Sequence, residues 1–239
     1  MARGTPWAGP FRGRGGATSR WQTAPVPSAP DAVLLDLDGT LSESGPAIVA
    51  AVSAALEHLG RDPLDEPTLR SFIGPPLETS FAGLPGFDDD LVAEATRVYR
   101  ANYDLLGPPL YDGVVPALER LRAAGLKVSL ATSKPEPLAL EIITDKGLLH
   151  LFDAVCGAGH DSERTTKADV VAKALQRLGR PSRPVMAGDR HHDVEGAAAH
   201  GVPCIGVLWG YGSAEELASA GAVALARDVD ELVALLLDR

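Results

Sequence analysis

From residue 32 onward, short and mostly apolar runs alternate with stretches whose apolar residues recur every three or four positions. The first run, Ala32-Val33-Leu34-Leu35, ends in the carboxylate of Asp36. Four more follow: Lys127 to Ala131, Ala154 to Cys156, Pro184 to Ala187 and Pro203 to Val207. Runs of this kind, without strict alternation, predict parallel strands buried on both faces. Between them, Ala117, Leu118, Leu121 and Ala124 have helical spacing and stop at Gly125. Val170, Val171, Ala174, Leu175 and Leu178 do the same before Gly179. A glycine just past the last periodic residue suits a helix C-terminus. Strand–helix alternation predicts an α/β fold, a doubly wound parallel sheet with right-handed crossovers.

One segment departs from this rhythm. Residues 45–108 carry no strand pattern. Ile48, Val49, Val52, Leu56 and Leu59 mark one amphipathic helix, and Leu91, Val92, Ala95 and Val98 another. Gly74-Pro75-Pro76 and Pro85-Gly86 punctuate them. We expect an α-helical cap over residues 45–108, inserted into a core of residues 31–44 and 109–239 and lying over the carboxyl ends of the strands. Residues 1–30 are rich in Gly, Pro, Arg and Ser with no hydrophobic period, which predicts a disordered tail. Its Arg12-Gly13-Arg14-Gly15-Gly16 fragment, near Phe11 and Trp21, has the composition of a segment that touches RNA or a protein partner. The tail lacks the apolar centre of a secretory signal, and we expect it to be dispensable.

Charge narrows the choice of partners. The 239-residue chain has 22 Lys and Arg against 32 Asp and Glu, a formal net charge of −10. Four of the arginines and none of the acids lie in the first thirty residues, so the folded part is strongly acidic. Nucleic acid is therefore an unfavourable partner for the core. Cys156 and Cys204 each sit in a strand-like run, which predicts buried free thiols and a reducing, cytoplasmic location. No apolar run approaches the ~18 residues of a membrane span.

The chemistry gathers at predicted strand ends. Asp36-Leu37-Asp38-Gly39-Thr40-Leu41 places two carboxylates where the first strand stops, the position at which open α/β sheets bind ligands. Paired carboxylates in a low-dielectric cleft repel unless a proton or a cation relieves them, and Mg²⁺ prefers such hard oxygens. Gly188-Asp189-Arg190-His191-His192-Asp193 offers two more carboxylates after the strand that begins at Pro184. Thr132 and Ser133, with the backbone N–H groups around them, follow another strand and can hold phosphate oxygens. Lys167 opens the helix that contains Val170 and can neutralise a phosphoryl group amid aspartates. His191 and His192 occupy spacer positions and receive no metal role. Lys134 is open between substrate contact and a solvated first-turn lysine. Gly157-Ala158-Gly159 lacks the third glycine of a nucleotide fingerprint. Tyr111 and Tyr211 follow turn signals and are open between lining the cleft mouth, packing and loop exposure.

In chain order the strand ends offer Asp-x-Asp, Thr, Lys and Asp-x₃-Asp. This order resembles the four motifs of the haloacid dehalogenase superfamily, matched by Asp36 and Asp38, Thr132, Lys167, and Asp189 with Asp193. Phe72-Ile73-Gly74-Pro75-Pro76-Leu77 and Gly206-Val207-Leu208-Trp209-Gly210-Tyr211-Gly212 are similar to the phosphoglycolate phosphatase and 5′-nucleotidase-like branch of subfamily I. The resemblance implies a Mg²⁺-dependent phosphatase acting on a small phosphorylated metabolite. In it Asp36 is the nucleophile, Asp38 the acid and base, and Thr132, Ser133 and Lys167 bind the phosphoryl oxygens. Asp36, Asp189 and the Asp38 carbonyl hold the metal, and Asp193 supports them. Asp38 also argues against dehalogenation, a use of the fold without this second acid. A second resemblance, to actinobacterial protein-tyrosine kinases on the same fold, makes Tyr211 a candidate phosphotyrosine, although no P-loop or protein-kinase motif set is present. A non-catalytic partner-binding module is the third reading, and the full acidic set speaks against it.

Overall fold

The computed structural model describes residues 29–104, 107–159 and 166–237. The expected disordered tail falls outside these residues except for its last two. Six parallel strands form one sheet in the order β3-β2-β1-β4-β5-β6. They are β1 (Ala32–Leu35), β2 (Lys127–Pro135), β3 (Ala154–Ala158), β4 (Pro184–Gly188), β5 (Cys204–Val207) and β6 (Ala224–Ala226). The central strand β1 pairs with β2 through Val33–Val128 and Leu35–Leu130, and with β4 through Val33–Val185 and Leu35–Ala187.

Successive side chains of a strand point to opposite faces, and this splits the core in two. Val33, Leu35, Val128, Leu130, Val185 and Ile205 face one side. There they pack on helices α5 (Val114–Ala123), α6 (Glu136–Asp145) and α10 (Val229–Leu237). Ala32, Leu34, Met186 and Cys204 face the other, against α7 (Lys167–Arg177), α8 (His191–Ala198) and α9 (Ala214–Ala220). All four residues of β1 are buried, as its unbroken apolar run requires. Cys156 and Cys204 are buried free thiols.

Residues 45–102 fold into four helices: α1 (Gly45–His58), α2 (Glu66–Arg70), α3 (Leu77–Ala82) and α4 (Asp89–Asn102). They enclose a third buried cluster of their own, built from Ile48, Val52, Phe72, Ile73, Phe81 and Val98. α4 starts where Asp88 accepts the Leu91 N–H at 2.9 Å, a side-chain cap for an otherwise unsatisfied donor.

The structure extends the expected pattern in two places. β6 is a sixth strand of three residues, too short to leave a periodic signature. β2 runs on past Ala131 to Pro135, with a register shift against β3. Thr132 and Ser133 therefore lie in the last part of β2, and α6 begins only at Glu136. No helix among the described residues is long and apolar enough to cross a membrane.

Candidate active site

The carboxyl ends of β1, β2 and β4 bring the sequence-predicted residues together. Asp36 follows β1 directly, is 3% exposed, and donates its N–H to the Ala187 carbonyl at 3.1 Å. Its Oδ1 accepts a hydrogen bond from Lys167 Nζ at 2.8 Å. The same ammonium lies 2.7 Å from Asp193 Oδ1 and donates to the Ala131 carbonyl at 2.9 Å. Lys167 reaches this point because α7 starts there. Thr166 caps the helix, accepting the Asp169 N–H while Asp169 accepts the Thr166 N–H at 2.8 Å, a reciprocal cap that fixes the first turn.

Asp189 is fully buried. Its Oδ2 accepts the Tyr211 N–H at 2.8 Å, and its Oδ1 has no hydrogen-bond partner. Asp193 Oδ2 accepts the Arg190 N–H at 3.1 Å. One carboxylate oxygen each from Asp36, Asp189 and Asp193 lie within 4.8 Å of one another. Two glycines allow this crowding. A Cβ on Gly39, whose φ is +85°, or on Gly210 would overlap the Asp189 side chain.

Such a cluster strains its own ionisation. Burial pushes the Asp36 carboxyl up from the ordinary 3.8 to about 7, against the lowering effect of Lys167, while Asp193 and Asp38 add to the rise. Burial, then Asp193 and Asp36, push Asp189 well above its usual range. For Lys167 burial opposes the charge, but Asp193 and Asp36 outweigh it and hold the ammonium protonated. A hard divalent cation fits this set. All the donors are oxygens, three carboxylates converge, and a buried oxygen of Asp189 lacks any partner.

Asp38 stands apart from that trio. Its Oδ2 lies 3.3 Å from Lys134 Nζ, and its Oδ1 is buried without a partner. Lys134, left open by the sequence, is not solvated: its side chain is 8% exposed, and its ammonium sits 4.5 Å from the ring centroid of Tyr103 at the end of α4. Thr132 is buried at 1% exposure and accepts the Lys134 N–H at 3.2 Å, whereas Ser133 is half-buried. Tyr211 is half-buried. Its hydroxyl accepts the Gly45 N–H at 2.7 Å, where α1 begins. Trp209 donates its Nε1–H to the Thr40 carbonyl at 3.0 Å.

Sequence reasoning missed Arg190 and Glu216. Glu216 Oε1 accepts from Arg190 Nε at 2.9 Å and from the His191 N–H at 3.1 Å, and it lies 2.7 Å from His191 Nδ1. Burial opposes its charge, yet the Arg190 and His191 hydrogen bonds hold its carboxyl down at about 2. The place of Arg190 between two site aspartates was the available signal. His191, His192 and Glu195 also come within 4.8 Å of one another, on the outer face of α8.

A parallel sheet in this order, with four acids and two lysines gathered at its carboxyl edge, defines a class of phosphate-handling enzymes. The model of the haloacid dehalogenase-like hydrolase family matches residues 33–207, and the chain belongs to that family. The chain is an enzyme of the family's phosphatase type. It is 39% identical over 189 residues to a 5′-nucleotidase of Pseudomonas aeruginosa, covering 77% of this chain and 86% of that one. A structure described as a predicted phosphatase from Clostridium acetobutylicum superposes with a TM-score of 0.83 at 36% identity, over 89% of this chain and 100% of that one. Tyrosine-protein kinase PtkA of Mycobacterium tuberculosis is 42% identical over 211 residues, 85% of this chain and 72% of that protein.

Proposed function

We propose that the chain is a Mg²⁺-dependent phosphomonoester hydrolase that works through an aspartyl-phosphate on Asp36 and acts on a small phosphorylated metabolite in the cytoplasm. One arrangement carries this reading. The Asp36 carboxylate is buried at a strand end, bonded to Lys167 at 2.8 Å, and gathered with Asp189 and Asp193. Asp36 attacks phosphorus and the ester P–O bond breaks as the leaving oxygen takes a proton from Asp38. Water then attacks the aspartyl-phosphate, gives its proton to Asp38 and restores the Asp36 carboxylate. Lys167 and Thr132, with Ser133 beside them, offset charge on the transferring oxygens. When bound at Asp36, Asp189 and the Asp38 carbonyl, with Asp193 in support, Mg²⁺ would keep the clustered carboxylates ionised and polarise the phosphoryl group.

In the same reading, residues 45–108 are the cap that admits the ester and excludes bulk water, and residues 31–44 with 109–239 are the catalytic core. The test is phosphate release from phosphoglycolate, nucleoside monophosphates, sugar phosphates and phosphotyrosine, with Mg²⁺ and with a chelator. Asp36→Asn is expected to lose several orders of magnitude in rate while remaining folded. Activity within about tenfold of wild type would overturn the covalent mechanism.

The 42% identity to a tyrosine kinase supports a second reading, phosphoryl transfer from ATP to tyrosine. The hydroxyl of Tyr211, its candidate acceptor, is held by the Gly45 N–H, so transfer to it requires that this contact open. Labelled transfer from ATP to the chain, lost in Tyr211→Phe, would favour the kinase; phosphate release without it favours the hydrolase.

A further inference from the structure

Two core residues reach across to the α1–α4 unit, and each is tied by its own main-chain N–H to one of the clustered acids. Tyr211 gives its N–H to Asp189 and receives the Gly45 N–H on its hydroxyl. Arg190 gives its N–H to Asp193. Its guanidinium donates Nη1–H to the Ile73 carbonyl and Nε–H to Glu216. Ile73 is 1% exposed, inside the third hydrophobic cluster, so this carbonyl belongs to the packed part of that unit.

The fit is close on both sides. Gly74 has φ +108°, and a Cβ there would lie 3.2 Å from Arg190 Cγ, so the turn after Ile73 rests on the arginine stem. On the core side Glu216 fixes the guanidinium, and the Glu216 N–H is itself bonded to Ser213 Oγ at 3.1 Å. The Arg190 side chain is 13% exposed. A planar fork with separate donors can hold a carboxylate and a carbonyl at once, which a lysine ammonium on a flexible stem does less rigidly.

We propose that Arg190 is a positioning residue that makes the order of the Asp189–Asp193 loop and the seating of α1–α4 on the core one equilibrium, so that a cation held at Asp36 and Asp189, with Asp193 in support, also fastens the Ile73–Gly74 turn. This rests on the metal reading given above. The physical basis is shared geometry: a cation that orders the two acids orders the loop between them, and Arg190 carries that order to Ile73. Coupling of this kind is reciprocal, so breaking the tie weakens cation binding by the same factor that it releases the turn.

Hydrogen–deuterium exchange of the full chain tests it, with Mg²⁺ alone against a chelator. In the wild type Mg²⁺ should slow exchange of the Phe72, Ile73, Gly74 and Leu77 amides by about fivefold or more, since a local opening becomes linked to the ion. Arg190→Met keeps the stem and removes the donors. It should lose that slowing while the peptide of β1 retains its own, and calorimetry should show Mg²⁺ affinity lower by the same factor. Gly74→Ala lifts the turn from the other side without altering an acid or its hydrogen-bond donor, and should reproduce both effects; it decides the matter if Arg190→Met does not fold. The double variant should be no weaker than the single ones. A residue of merely structural importance would speed exchange equally with and without the ion. If no wild-type amide, those of β1 included, responds to Mg²⁺, the metal reading falls together with this one; protection of β1 without protection of the turn overturns the coupling alone. Protection in the wild type that persists in both variants would overturn the role of Arg190 alone.

Discussion

Without metal, the chain should become less stable as pH rises from about 4 to about 7, the reverse of ordinary acid denaturation. The cause is Asp36, whose carboxyl is carried by burial from 3.8 to about 7. In the unfolded chain it ionises first, so between these values the folded state holds the extra proton, and its stability falls with rising pH. At about 1.4 kcal/mol per pH unit the full displacement corresponds to roughly 4 kcal/mol. Asp189 acts in the same direction. His192 opposes it below its usual 6.5, because burial and the neighbouring His191 and Arg190 lower its pKa. Urea denaturation in a chelator, followed by circular dichroism at pH 5 to 8, measures the balance. Between pH 5 and 8 about two of those units are sampled, roughly 3 kcal/mol, and with a slope of about 2–3 kcal/mol/M that is a midpoint shift of about 1 M. Asp36→Asn should flatten the difference, because an amide does not titrate. Millimolar Mg²⁺ should raise the midpoint most at pH 8, where the cluster is fully ionised. A metal-free wild type and an Asp36→Asn variant with the same pH dependence would refute the reasoning, since the slope would then come from elsewhere.

Three further outcomes follow from particular contacts. Lys167→Met should lower kcat by about 10²–10³ through lost charge stabilisation, measured on any ester the wild type hydrolyses. A larger loss in Lys134→Met would reassign that role to Lys134. Gly210→Ala drives a methyl into the Asp189 side chain and should destabilise by about 1–3 kcal/mol, a melting-temperature drop of a few degrees, with weakened Mg²⁺ binding. Tyr211→Phe removes the acceptor of the Gly45 N–H while sparing the main-chain bond to Asp189. It should cost about 1–3 kcal/mol in thermal unfolding.

The parallel sheet was legible because burial on both faces forces unbroken apolar runs, and β1 is such a run with its acid at the end. The main helices that cover the sheet and the four helices of residues 45–102 were legible only where periodicity was strong. α2 and α3 have five and six residues, and β6 has three, too few to show a period. Asp36, Thr132, Asp189 and Asp193 could be named from their places at strand ends, and Lys167 from the start of the helix after β3, because chain topology alone brings these points to one edge. Which group pairs with which was decided only by packing. That Lys167 bridges Asp36 and Asp193 while Lys134 takes Asp38 depends on where α7 starts and how far β2 runs. Arg190 had no sequence signal beyond its neighbours, since its partners Ile73 and Glu216 lie 117 and 26 positions away. Motif spacing is a local property of the chain. Contacts between the α1–α4 unit and the sheet arise only when both cores have formed and their surfaces meet, and that step is written in the tertiary structure.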